Sequence, residues 1–344
     1  MAARFSLLRR IAALAALAPR LVRLAHHDYR DGLLEPVRTA AVVVTWEGGA
    51  TTDRCVASVL AQDRPADEVI VVDNASSEPE RARLGAAHDG RTGVRLLLLD
   101  ENRQFAGGLN AGAEAAIAAG AERLLLLNND TVLAPDALGR LAAALDARPR
   151  AGIAGPRLMD LREPARELSA GERHILPLLC LPRTWLRYRP RTPAPYPVTG
   201  VMGAALLVTR ACYQAVGGFA AEIEVYYEDV DFCLAARARG FEIVIEPRAL
   251  VYHDGLRGFA GGLTPWAAFL KARNPWLVVR RRGRAAVWLG FVPTYAAMLG
   301  GSAALHALRG RGDVVRALAR GALAGIGAAA GRRVTPVGPP GGSR

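Results

Sequence analysis

The sequence predicts an α/β protein built on an open, mostly parallel sheet flanked by helices, with a helical tail behind it. Three observations carry that reading. Short β-branched apolar runs alternate with helix-length segments from residue 39 onward. Those runs end in polar residues, as expected where ligands bind outside the carboxyl ends of parallel strands. The excess positive charge lies behind this alternating region.

The first strand is Ala40-Ala41-Val42-Val43-Val44-Thr45-Trp46, an apolar run of the kind buried on both faces. A helix follows over 51–62. Glu68-Val69-Ile70-Val71-Val72-Asp73-Asn74 is the second strand, and its polar turn (73–77) leads to a helix over 78–87. Residues 94–99 form the third strand. Residues 102–110 are a glycine-bearing loop opening a small-residue helix over 107–120. Residues 123–127 form the fourth strand, ending at Asn128-Asn129-Asp130. Pro135, at a permitted first-turn position, opens a helix to residue 147.

The second half is less regular. Residues 176–197 hold six prolines and read as a long loop, a lid or acceptor-binding segment if it borders a cleft. Residues 199–209 are apolar with glycine, and Gly217-Gly218-Phe219 is a turn. Tyr226-Tyr227-Glu228-Asp229-Val230-Asp231-Phe232 then places three carboxylates within four positions, ahead of a helical run ending at Gly240. Like charges this close repel, but a helix N-terminus favours negative charge. The cluster reads either as a well-capped helix or as a site. Short strands over 241–245 and 248–252 end at His253-Asp254-Gly255.

The formal net charge of +12 is located in the tail. From Lys271 to Arg344 there are 13 basic residues and one acid, Asp313, while residues 1–270 balance 31 basic against 31 acidic. Basic groups flanking apolar segments suit an anionic membrane surface. Nucleic acid is the rival partner and is disfavoured, because stacking aromatics are not interleaved with the charges. Residues 285–308 carry no charge beyond His306 and are long enough to span a bilayer, but Pro293 and the Ala/Gly content favour an in-plane or re-entrant helix. Arg20 and Arg23 directly follow the apolar run 11–18, unlike an export signal, so the expected location is cytoplasmic, peripheral on the inner face of the membrane. Cys55, Cys180, Cys212 and Cys233 lack metal-site spacing and read as buried thiols. The expected organisation is a basic amphipathic extension (1–38), an α/β domain (39–275), a basic and apolar membrane-associating helical segment (276–331) and a disordered tail (332–344).

The strand ends suggest one cleft lined by Thr45, Asp73 and Asp130. The Asn128-x-Asp130 turn presents oxygens of the kind Mg²⁺ or Mn²⁺ binds together with phosphate. His253 either supplies a nitrogen or is an ordinary core histidine. Asp73 either caps its turn or accepts from a nucleobase N–H. The loop over 102–110 is a candidate anion seat at a helix start, but it is not G-x-G-x-x-G and Asp73 is not placed as that fingerprint requires, which disfavours a dinucleotide site.

In series, Val43-Val44-Thr45-Trp46, Val71 to Ser76, Asn102 to Gly112, Leu126 to Asp130, Gly217-Gly218-Phe219, Glu228 to Asp231 and Val251-Tyr252-His253 carry a resemblance. Over residues 40–275 the chain resembles the inverting glycosyltransferases of family 2, with the GT-A fold, nearest their bacterial rhamnosyltransferase-like branch. The resemblance implies that Thr45 and Asp73 hold base and ribose, with Trp46, Asn74, Gly107, Gly108, Asn110 and Asn129 completing a nucleotide-sugar site. It implies Mg²⁺ or Mn²⁺ on Asp130, with His253 a second ligand. Asp229 would be the general base, with Glu228 and Asp231 shaping its surroundings. The donor would be a nucleotide-sugar, with a hint of dTDP-rhamnose, and the acceptor a glycan or lipid-linked saccharide.

The chemistry is coherent. A carboxylate takes the proton of the attacking hydroxyl, and a metal offsets charge on the departing diphosphate. There are departures from the family pattern. Asn128 stands where the first acid of a D-x-D turn is common, Trp46-Glu47 replaces Tyr-Asn, and Ala235 stands where an arginine is frequent. These leave open a non-catalytic nucleotide-sugar or polysaccharide-binding scaffold of the same fold. A nucleotidyltransferase is disfavoured, since Trp46-Glu47-Gly48-Gly49 lacks a basic residue.

Overall fold

A computed structural model describes residues 38–181, 188, 192–255 and 263–333. The expectations for the N-terminal extension, for the end of the tail beyond residue 333 and for the centre of the Pro-rich loop lie outside the described residues.

The described chain runs β1 (Thr39–Thr45), α1 (Ala50–Leu60), β2 (Glu68–Asp73), α2 (Glu78–His88), β3 (Val94–Leu98), α3 (Gln104–Ala118), β4 (Arg123–Asn128), β5 (Thr131–Leu133), α4 (Ala137–Asp146), β6 (Ala151–Asp160) and β7 (Glu167–Ser169). It continues with β8 (Tyr196–Val198), β9 (Ala205–Thr209), α5 (Arg210–Val216), α6 (Glu228–Ala238), β10 (Glu242–His253), α7 (Pro265–Arg282), α8 (Ala285–Leu308) and α9 (Gly312–Ala329). The strands form one sheet in the order β3-β2-β1-β4-β9-β6-β10-β5, with β7 beside β6 and β8 beside β10.

The expectation of parallel pairing holds for β3-β2-β1-β4 and for the β6–β10 pair. β9 is antiparallel to both β4 and β6, and β5, β7 and β8 add further antiparallel pairs, so the sheet is mixed. The two strands expected over 241–252 are one strand, β10, whose register against β6 shifts between Glu246 and Leu250.

Alternation sorts the central strands into two faces. Val42, Val44, Ile70, Val72, Leu124 and Leu126 pack with α3, α5 and α6. Ala41, Val43, Val69, Val71, Leu125 and Leu127 pack with α1, α2 and α4. The sheet is thereby enclosed by helices on both sides. A third cluster joins Trp276, Leu277 and Val278 of α7 to Phe291 and Tyr295 of α8 and to Ala322 of α9.

The tail therefore folds as a helical layer against the domain. Arg280, Arg281 and Arg282 do not extend from it as a free cationic strip. Arg280 and Arg281 pair with Glu222, and Arg281 and Arg282 pair with Asp231. Among the described residues no helix is long and apolar enough to cross a membrane. α8 buries Phe291 and Tyr295 while leaving Leu289 81% and Leu308 88% exposed.

Candidate active site

Strand order reverses direction at β1, with β2 on one side and β4 on the other, and ligands bind at such switch points. Here the β1 and β4 ends are tied together. Asn129 Nδ2 donates to Thr45 Oγ1 (3.2 Å) and to Thr52 Oγ1 (3.1 Å), and the two threonine hydroxyls lie 2.8 Å apart. Gly48 sits against all three side chains, and any Cβ there would collide with them. Thr45 and Asn129 thus build the corner, while Trp46 beside them is half-buried.

Asp73 lies in register with Thr45. Its carboxylate is enclosed, accepting from the Ser76 N–H and from Arg81 Nε at 3.0 Å. The turn-capping contact is therefore present, beside an ion pair with Arg81. Asn74 is likewise occupied: its Nδ2 donates to Gln104 O and its Oδ1 accepts from Arg103 N–H, pinning the start of α3. Gly107 and Gly108 act through close packing. A Cβ on Gly108 would stand 2.8 Å from Val44 Cγ1, and one on Gly107 2.6 Å from Arg103 Cβ. Asn110 points to the far end of its helix partnership, accepting from Tyr213 Oη and the Phe219 N–H and donating to Phe219 O. It anchors the Gly-Gly-Phe turn.

The other strand ends converge. Antiparallel pairing of β5 with β10 sets His253 opposite Thr131, so His253 faces the 128–130 turn. His253 Nε2 lies 3.1 Å from Asp130 Oδ1 and 3.4 Å from Asn128 Nδ2. Asp130 Oδ1 and Asn128 Oδ1 are buried and have no hydrogen-bond partner among the described residues. The carboxylate and imidazole therefore face each other as co-ligands do, without donor–acceptor geometry. Two strong ligands and an amide oxygen suit a hard divalent cation whose remaining positions are filled by phosphate oxygens and water. Among the described residues no group of three or more His, Cys, Asp or Glu is arranged to hold a metal ion.

Asn128 and His253 also line a cavity of about 550 Å³, whose wall includes Gly203, Tyr226, Glu228, Asp229 and Lys271. α6 starts at Glu228, so the acids occupy its first turn. Asp229 is fixed from both sides: Oδ2 accepts from the Gly203 N–H and Oδ1 from the Val230 N–H, each at 2.8 Å. Gly203 approaches closely enough that a Cβ would sit 3.1 Å from Asp229 Cβ. Asp231, expected beside the base, does not line this cavity. Helical spacing turns it toward α7, where Arg282 Nε and Nη2 each bond it at 2.7 Å. It secures α6 to α7.

The loop before α6 is strained. Glu224, Tyr226 and Tyr227 all have positive φ (66°, 64° and 74°). One buried side chain holds it: Asn274 Nδ2 donates to the carbonyls of Ile223, Val225 and Tyr226 at 2.8–2.9 Å. Its neighbour Arg273, 1% exposed, pairs with Glu224 at 2.7 Å. Lys271 Nζ lies 4.8 Å from the Tyr226 ring centroid. Burial raises the Tyr226 hydroxyl above its usual range, and Glu228 raises it further. From sequence, residues 271–274 stand out only for Lys271, the one lysine in an arginine-biased chain, and carry no site role.

The match to the family model described as Glycosyl transferase family 2 spans residues 40–193. The chain is 30% identical over 232 residues to the Mycobacterium tuberculosis N-acetylglucosaminyl-diphospho-decaprenol L-rhamnosyltransferase, covering 62% of this chain and 74% of that protein. It is 31% identical over 197 residues to an uncharacterized Sinorhizobium fredii protein, of whose length it spans 21%. Among solved structures, the Pyrobaculum calidifontis mannosyltransferase PcManGT in complex with GDP-Man and Mn²⁺ superposes with a TM-score of 0.51 at 20% identity, over 91% of this chain and 97% of that one. That likeness speaks to the fold, which is GT-A. With its sheet, its acidic α6 start and its relatives in agreement, the chain belongs to glycosyltransferase family 2 and is a glycosyltransferase.

Proposed function

We propose that this glycosyltransferase inverts configuration, moving a sugar from a nucleotide-diphosphate donor to a hydroxyl of a glycan or lipid-linked saccharide. The observation that carries the reading is the Asp229 carboxylate, fixed by two backbone N–H groups on the wall of a cavity shared with Asn128 and His253. Each carboxylate oxygen accepts a backbone N–H bond, which orients the group toward the cavity as a base for an acceptor hydroxyl. Asp229 takes the hydroxyl proton as that oxygen bonds to the anomeric carbon. The bond from the anomeric carbon to the phosphate oxygen breaks, and the nucleoside diphosphate leaves with the electron pair. Attack opposite the leaving group inverts the centre, and no enzyme nucleophile is needed.

Asp130 and His253, with Asn128 beside them, would hold Mg²⁺ or Mn²⁺, which supplies positive charge to the departing diphosphate. Thr45, Asn129 and the switch-point crevice would receive the nucleotide. Rhamnose is the sugar favoured by the named relative, and the uncharged exposed face of α8, flanked by arginines, supports work at the inner membrane surface.

The test is a thermal-shift panel of nucleotide-sugars with and without Mn²⁺, followed by product analysis. A donor should raise Tm by mass action, and turnover should yield nucleoside diphosphate and an inverted glycoside. A scaffold binds donor but releases no nucleotide, and that result overturns the reading.

A further inference from the structure

Each carbonyl from Ile223 to Tyr226, in the loop that leads into Glu228 and Asp229, is held by a donor from another element. Asn274 of α7 serves those of Ile223, Val225 and Tyr226. The fourth, Glu224 O, accepts from the Ala106 N–H at 2.9 Å. Ala106 is in the first turn of α3, whose N–H groups have no partner within the helix. The start of α3 is fixed in turn from the end of β2. Asn74 Oδ1 accepts from the Arg103 N–H and Asn74 Nδ2 donates to Gln104 O, each at 2.9 Å. Gln104 has a φ of 57°, which a non-glycine residue keeps only where its surroundings impose it. Asn74 is itself placed by its backbone N–H, which donates to Thr45 O at 2.9 Å. Its side chain is enclosed: the residue is 3% exposed, and a Cβ on Gly108 of α3 would stand 3.4 Å from its Nδ2. Phe105, between Gln104 and Ala106, lines the cavity beside Asp229.

We propose that Asn74 is a positioning residue for Asp229. It sets the start of α3, which places the Ala106 N–H against Glu224 O and Phe105 on the cavity wall. The loop before α6 is then gripped by two elements, α7 through Asn274 and α3 through Ala106. Asn74 ties the Thr45 corner of the nucleotide crevice to that grip without contacting the donor itself. The family resemblance implies a donor contact at Asn74. An enclosed amide, engaged at both its oxygen and its nitrogen by the start of α3, serves packing and presents little surface to a ligand. The proposal rests on the reading of Asp229 as the base. It gives the chain a residue that acts on the rate through the loop, at the far side of the crevice from α7's support.

The experiment compares the full chain as wild type, Asn74→Ala and Ala106→Pro, the last removing the N–H at a first-turn position where proline is tolerated. Three quantities are read: amide hydrogen exchange by mass spectrometry, binding of the nucleotide-sugar selected by thermal shift, and nucleoside diphosphate released from it with Mn²⁺ present. In both variants exchange across residues 223–230 should rise about tenfold or more, while α4, on the other face of the sheet, stays unchanged. kcat should fall about tenfold or more, with donor Kd within about threefold of wild type. Ala106→Pro carries the test if Asn74→Ala does not fold. A donor Kd raised about tenfold or more in Asn74→Ala, with kcat and exchange as in wild type, overturns the proposal and makes Asn74 a donor contact. Wild-type exchange across 223–230 in the folded variants overturns it as well. Asp229→Asn separates the two readings. If Asp229→Asn releases nucleoside diphosphate at the wild-type rate, the base assignment fails, and exchange across 223–230 still decides whether Asn74 holds the loop. If Asp229→Asn is inactive while Asn74→Ala keeps the wild-type kcat, the positioning proposal alone fails.

Discussion

Replacing Asn274 by alanine tests how the proposed base is held in place. Its single amide serves the carbonyls of Ile223, Val225 and Tyr226, deep in the protein. Removing it costs about 1 kcal/mol per hydrogen bond lost and about 1–3 kcal/mol for carbonyls left buried without a donor. Relaxation of one of the loop's three non-glycine residues at positive φ, about 2 kcal/mol of strain, offsets part of that loss. The net expectation is a loss of about 2–4 kcal/mol in unfolding free energy. Because this loop leads directly into Glu228 and Asp229, kcat should fall more than tenfold while donor affinity changes little. Asn274→Asp keeps the shape but turns a second acceptor toward the carbonyls, so it should be at least as damaging. Urea unfolding with steady-state kinetics reads both quantities. A loss below about 0.5 kcal/mol with unchanged kcat would refute the claim that α7 holds the catalytic loop.

Asp130→Ala should abolish any Mn²⁺-dependent rise in donor-induced Tm, and His253→Ala should weaken it; a metal effect persisting in Asp130→Ala would move the ion elsewhere. Arg282→Ala leaves Asp231, 2% exposed at its side chain, with Arg281 alone, and should destabilise by about 2–3 kcal/mol in denaturant titration. Arg282→Lys should recover only part, because lysine cannot reproduce the two-point contact. At Glu222, burial raises the carboxyl, but bonds from Arg280 and Arg281 outweigh it, and the folded pKa lies below the ordinary 4.5. Its stabilisation is thus full above the unfolded value and is lost as pH falls through the lower folded one. The Tm difference between wild type and Glu222→Gln should be largest near neutrality and shrink in acid; a difference that grows on acidification contradicts the pairing.

The parallel half of the sheet was legible because its strands are uninterrupted apolar runs ending in polar turns, as in 40–46 and 68–74. β6 was not, since Ala-Gly-Ile-Ala-Gly-Pro reads as a breaker. In the fold those glycines are demanded by packing: a Cβ on Gly152 would stand 2.7 Å from Cys212 Cβ, and one on Gly155 2.5 Å from Val201 Cγ1. Antiparallel β9 and the single β10 also escaped, because pairing direction is set by tertiary partners and leaves no periodic mark. At the candidate site, Asp130 and His253 were singled out as polar residues at strand ends, and Asp229 from its acidic cluster and the family resemblance. The divergence of Asp231 from Asp229 follows from helix geometry, two residues along a helix lying on different sides. The roles of Asn274 and Lys271 depend on α7 packing under the catalytic loop, which no local pattern encodes. The tail arginines looked like a free cationic strip because their acidic partners, Glu222 and Asp231, lie 50 to 58 residues earlier.

The central claim is that Asp229 removes the acceptor proton. Single-turnover transfer by Asp229→Ala, measured beside nucleotide-sugar binding by the same preparation, tests it most directly. The account predicts a rate lower by at least a thousandfold with donor affinity within about threefold of wild type. Transfer at the wild-type rate by a folded, donor-binding Asp229→Ala protein would contradict it.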